Sequence, residues 1–207
     1  MLGALPSYSQ TIKTAFHYLK PGTGWLECHE MLLEPRCDDG TVPDNWAPRT
    51  WYAFVEEGAK KSPQPRDFSV AEKLAGWMRE AGFVDVKEET RKIPLNPWAK
   101  DPTLKQIGRL WERNWMDGIS PFSYNLLGPD GLGWTQNEIE VFLMDVRTAV
   151  RDSRVHSYQK VYFVYGRRPS KTEGEAMDEP REGKVLTPTP VATSTDTSGC
   201  EAPTSKK

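Results

Sequence analysis

The chain has 207 residues, 27% of them charged, with a formal net charge of −2. That length supports one domain with a real core. The near-neutral balance gives no bulk attraction to nucleic acid or to a membrane surface, and no basic patch with interleaved aromatics suggests a nucleic-acid binder.

No apolar run approaches the length of a membrane span. The opening Met1-Leu-Gly-Ala-Leu-Pro6 is too short for a signal peptide and lacks its basic flank. Cys28, Cys37 and Cys200 are an odd set without framework spacing, which points to a reducing setting in the cytoplasm or nucleus. The eight tryptophans fit either a large aromatic core or an aromatic-lined pocket.

Residues 9–20 are predicted to be a helix, because Ile12, Ala15, Phe16 and Leu19 recur at helical spacing. Pro21-Gly22 ends it. Residues 25–33 read as a strand. Leu26, Cys28 and Leu32 point one way and Trp25, His29, Met31 and Leu33 the other, so the strand is expected inside a sheet. Glu34-Pro-Arg-Cys-Asp-Asp-Gly-Thr-Val-Pro43 is a loop. Residues 45–60 form the next predicted helix, and Ser62-Pro-Gln-Pro65 breaks it.

Ser69-x-x-Glu72 reads as a capping box opening a helix with Ala71, Leu74, Trp77, Met78 and Ala81 inside and Gly82 as its C-terminal cap. A strand begins at Phe83 and runs on towards Ile93. Residues 102–118 read as a helix, followed by a shorter separate segment over 122–127 and a Gly128-Pro-Asp-Gly131 turn. Thr135-x-x-Glu138 is a second capping box, ahead of the stripe Ile139, Phe142, Leu143, Val146 and Val150. Val161-Tyr-Phe-Val-Tyr165 is apolar on both faces and is expected at the centre of a sheet. From Ser170 onward Pro, Ser, Thr, Gly and Glu dominate and no aromatic residue occurs, so 170–207 is expected to be a disordered tail.

This order of helices and strands is α/β. Only three strong strands are visible, at least two of them apolar on both faces, and they make a thin sheet that wants neighbours. The chain therefore looks incomplete as a self-sufficient α/β domain.

Several stretches narrow the class. Leu19-Lys-Pro-Gly-Thr-Gly-Trp-Leu-Glu27, Glu34-Pro-Arg-Cys-Asp-Asp-Gly-Thr-Val-Pro43, Ala81-Gly-Phe-Val-Asp-Val86, Asn96-Pro-Trp-Ala-Lys100, Lys105-Gln-Ile-Gly108, Gly133-Trp-Thr135, Glu138, His156-Ser-Tyr158 and Tyr165-Gly-Arg-Arg-Pro169 occur in one order. No single piece is specific, but the ordered set resembles the carboxyl half of fungal LaeA-like class I S-adenosylmethionine (SAM) methyltransferases, a group linked to secondary metabolism. The resemblance covers roughly residues 1–169.

It implies a partial Rossmann-like sheet lacking the amino-terminal SAM-binding strands, with a helical insert at about 99–134. In the family a glycine-rich loop after the first strand cradles SAM and an acidic residue after the second holds its ribose. Neither is found here, so no cofactor-binding residue is assigned. Gly128-Pro-Asp-Gly-Leu-Gly133 is glycine-rich but follows no strand. The expectation is a truncated chain inactive alone. The alternative is a non-catalytic module whose sheet a protein partner completes.

Methyl transfer is mostly positioning, and substrate-side residues are expected at the carboxyl ends of strands and in the insert. His29 is a candidate general base, with Glu30 or Glu34 to orient it. The plainer alternative is that all three bond neighbouring loops. Trp98, Lys105 and Trp111 are candidates for a lid over the substrate pocket, or for a packed helical subdomain. Asp38 and Asp39 read as turn formers rather than substrate ligands, and His156 and Tyr158 as anchors of the turn before the last strand. Cys28, His29 and Cys37 do not add up to zinc, since neighbours on a strand point to opposite faces and no fourth ligand is suitably spaced.

Overall fold

A computed structural model describes residues 5–178. Helix α1 (Tyr8–Tyr18) starts where the Ser7 hydroxyl accepts from the Gln10 N–H. Strand β1 (Trp25–Met31) follows. Helix α2 (Ala47–Lys61) has Pro48 in its first turn, where a missing N–H costs nothing. A single 3₁₀ turn leads into α3 (Leu74–Glu80). Gly82 closes this helix with φ +95°, a conformation that side chains with a Cβ rarely adopt. Then come β2 (Val84–Pro94), α4 (Pro102–Leu127), α5 (Gln136–Arg151), β3 (Tyr158–Arg167) and α6 (Lys171–Asp178).

The strands form one sheet in the order β1-β3-β2, with β3 antiparallel to both neighbours. The last of the described strands is therefore the central one. Near the start of β2 the register slips between Val84 and Lys87, and Asp85 adopts φ 54° there.

Two clusters make up the core. Tyr162 and Val164 of β3 pack with Ile12 of α1 and Leu74 and Met78 of the α3 region on one face of the sheet. The other cluster is helical: Trp51 and Val55 of α2, Trp115, Ile119 and Leu127 of α4, and Leu143 and Val146 of α5. Helices α2 and α4 approach so closely that a Cβ on Gly58 would lie 2.0 Å from the Leu126 carbonyl oxygen.

Four expectations need correction. Among the described residues β1 is an edge strand, not an interior one; it pairs only with β3, and Trp25 is 49% exposed. The box at Ser69 and Glu72 does not form, because the Ser69 N–H donates to Asp67 and the 3₁₀ turn has no side-chain cap. The two segments after Pro102 are one helix that runs through Pro121; burial of Trp115, Ile119, Ser123, Leu126 and Leu127 outweighs the hydrogen bond that proline removes. The tail begins as a helix: the hydroxyl of Ser170 accepts from the Glu173 N–H, Glu173 accepts from the Ser170 N–H, and Arg167 clamps Glu173 from β3. The remainder of the expected tail, 179–207, lies outside the described residues.

Candidate functional site: an aromatic cleft at the end of β1

The carboxyl end of β1 turns into the buried Leu33. Opposite it, α4 presents Trp111, Asn114, Trp115, Gly118, Ile119 and Phe122, positions three and four apart and so on one face of the helix. Trp51 of α2 supplies the third side. Together with Met31 and Leu33 these residues line an open cleft of about 150 Å³.

Behind the cleft sits Gln159 of β3, fully buried. Its Oε1 accepts from the indole N–H of Trp111 at 2.9 Å and of Trp115 at 3.1 Å. Its Nε2 donates to the Leu33 carbonyl at 2.5 Å. This pattern fixes which end of the amide is oxygen, because two donors must meet the acceptor. The third indole, Trp51, donates to the Ser123 hydroxyl at 2.8 Å, and its ring tilts against Trp115 with centroids 4.8 Å apart. All three indole donors are thus satisfied by buried protein acceptors, and the walls offer carbon to the cleft.

A polar clasp lies at the same end of the sheet. The loop over 34–43 brings Asp38 and Asp39 against the residues just before and at the start of β3. His156 Nδ1 donates to Asp39 at 2.6 Å, and the His156 N–H donates to the Thr41 hydroxyl. The Tyr158 hydroxyl donates to Asp38 at 2.6 Å, Lys92 pairs with the same carboxylate, and its ammonium lies 4.5 Å from the Tyr158 ring centre. Hydrogen bonds from His156, then from Cys37 and Thr41, hold the Asp39 carboxyl well below the usual range. The aspartates therefore do more than form a turn; they tie the loop to β3.

The other sequence candidates fall in different places. His29 is exposed on β1, bonded to Glu27 at 2.7 Å and edge-on to Phe163. Glu30 points to the opposite face, buried, with the Tyr8 hydroxyl donating to it. Glu34 pairs with Arg36 at 2.8 Å. His29, Glu30 and Glu34 are not brought together.

Trp98 stacks on His156 with centroids 4.8 Å apart and donates to the Ser157 carbonyl, so it belongs to the clasp. Lys105 lies in the first turns of α4 and does not line the cleft. Trp111 does. Burial, then the charges of Glu30 and Glu27, push the Cys28 thiol up to about 11, which leaves it protonated and unreactive near neutrality. Among the described residues no group of three His, Cys, Asp or Glu side chains is placed to hold a metal ion.

Sequence reasoning missed Gln159, Trp51, Asn114 and Phe122. For Asn114 and Phe122 the signal was the α4 stripe beginning at Trp111, which continues past Gly118; Trp51 on α2 and Gln159 on β3 carried none.

No protein-family model matches the chain. Among curated proteins, the secondary metabolism regulator LAE1 of Cochliobolus heterostrophus is 28% identical over 170 residues, covering 82% of this chain and 54% of that protein. The probable methyltransferase tdiE of Emericella nidulans is 38% identical over 168 residues, 81% of this chain and 51% of its own length. Methyltransferase pytC of Aspergillus terreus is 29% identical over 170 residues, 82% and 51% respectively. The chain spans about half the length of the curated relatives it matches. Over most of its length it resembles the carboxyl half of fungal LaeA-like methyltransferases.

Proposed function

We propose that this chain forms the acceptor side of a SAM-dependent methyltransferase-like protein of fungal secondary metabolism, working in the cytoplasm or nucleus. The observation that carries the reading is the aromatic cleft, built from the carboxyl end of a strand and from α4, where an α/β fold binds its ligand. The described residues do not fit SAM. The segments after β1, β2 and β3 hold no glycine-rich loop, and the glycine-rich stretch over 128–133 is spent closing α4, with the Gly133 N–H donating to Gly128 and the Trp134 N–H to Leu127. No step involving the cofactor is therefore assigned to these residues.

Calorimetric titration of SAM into the purified chain tests this reading. The expected result is a folded chain without saturable binding. A chimera carrying residues 5–169 in place of the matching stretch of the Emericella nidulans relative should then transfer a labelled methyl group. Saturable SAM binding by the chain alone, or an inert but folded chimera, would overturn it.

A second reading is an interaction module with a protein partner. It rests on the outer edge of β1, which pairs with no strand among the described residues and flanks a hollow of about 300 Å³ against α1. Light scattering on the chain mixed with a full-length relative separates the two. A stable 1:1 complex favours the module; a chain that stays monomeric in the mixture sinks it.

A further inference from the structure

The methyl acceptor is the part of the function that the family resemblance leaves open. Small molecules, protein side chains and the protein itself are all methyl acceptors by chemistry, and they differ in charge and size. The cleft discriminates between them. Among the described residues no charged side chain lines it. The indoles of Trp51, Trp111 and Trp115 turn their donors inward, to Ser123 and Gln159. Asn114, exposed at the rim, is the one polar side chain among the lining residues.

A carboxylate entering such walls would lose water and gain no counter-charge, and a cation would recover from the indole faces only a small part of the hydration it loses. A planar neutral ring loses little and stacks on the aromatic faces. The volume of about 150 Å³ suits a single ring or a fused pair, since an apolar cavity of roughly that size accommodates benzene.

From these observations, and resting on the acceptor-side reading above, we infer that the cleft takes an uncharged aromatic small molecule carrying one hydrogen-bonding group, which Asn114 meets at the rim. A lysine, arginine or carboxylate side chain of a protein substrate does not fit it.

The walls also supply a clean variant. A Cβ added at Gly118 meets nothing within 4 Å, so a larger side chain there enters open space, and replacing a helical glycine favours the helix. Gly118→Leu should keep the fold and fill the cleft. Asn114→Asp places a negative charge at the rim.

The test is a titration of the full chain, without SAM, with indole, tryptamine and indole-3-acetate, followed by resonance shifts of the tryptophan indole N–H and Asn114 amide groups. Indole should bind saturably, with both charged analogues weaker by about tenfold or more from the uncompensated charge. Gly118→Leu should abolish indole binding while leaving the thermal midpoint equal or higher. Asn114→Asp should narrow the gap between indole and tryptamine and widen that between indole and indole-3-acetate. Equal or tighter binding of either charged analogue to the wild-type chain overturns the inference. So does indole binding that Gly118→Leu leaves intact. Because SAM is absent throughout, an inert chimera alongside selective indole binding would refute methyl transfer and leave the ligand class standing.

Discussion

The helical core and the sheet core solve the same problem unequally. Among α2, α4 and α5 the apolar stripes close on one another; Val55, Leu127, Leu143 and Val146 are fully buried, and the buried Trp51, Ser123 and Gln159 polar groups are hydrogen-bonded. The sheet is covered on one face by α1 and α3, while the face bearing Trp25, His29, Phe163 and Tyr165 is only partly covered. Stability should therefore concentrate on the helical side, and tolerance on the open face. The cleft lies at the seam, with one wall from each region.

The sharpest break of this contrast is Leu143→Ala, which opens a hole in the closed core. It should cost about 3–4 kcal/mol by urea denaturation. Gln159→Leu comes next. It strands two indole donors and the Leu33 carbonyl and should cost about 2–3 kcal/mol, with a shift in tryptophan emission. Thr135→Ala removes a capping box seen in full, in which Thr135 and Glu138 each satisfy the other's backbone, and should cost about 1 kcal/mol. Phe163→Ala, on the open face, should cost less than about 1 kcal/mol; a loss matching that of Leu143→Ala would mean the two regions do not differ.

The smallest effect concerns pH. The Asp39 carboxyl is depressed in the fold, so its contribution is present above the ordinary carboxylate range and is lost as pH falls below about 4. The thermal midpoint should drop there, and less steeply in Asp39→Asn; equal slopes would show that the clasp adds nothing.

Local chemistry made part of this fold legible and misjudged the rest for identifiable reasons. Among the Ser/Thr-x-x-Glu patterns of the chain, those at Thr135, Ser69 and Ser170 fare differently. The first forms a box as anticipated. The second loses its serine N–H to Asp67, a competitor two residues away. The third was hidden by a composition that reads as tail, yet Arg167 holds its glutamate from the sheet.

The central place of β3 followed from its two apolar faces. The edge position of β1 did not, because strand order depends on pairing over more than a hundred residues and leaves no local pattern. Gln159 looked like any polar residue at a strand entrance. Its role depends on two tryptophans in a helix that the proline at 121 seemed to divide. The aromatic wall was half legible: Trp111 stood out, while Trp51 and Phe122 join it only through tertiary packing.

The position of β3 bears on how the protein is made. Among the described residues β1 and β2 have only β3 as a strand partner, and β3 is the last strand. On the ribosome the β1–β3 pair must wait while the intervening helices are synthesised, on the order of 10 s at ordinary elongation rates. During that interval Trp25-Leu-Glu-Cys-His-Glu-Met31 lacks its β3 partner, whereas α2, α4 and α5 can already pack together. The nascent chain thus passes through a stage with its helical half assembled and its β3 pairings unformed, and this is when a chaperone would have most to shield.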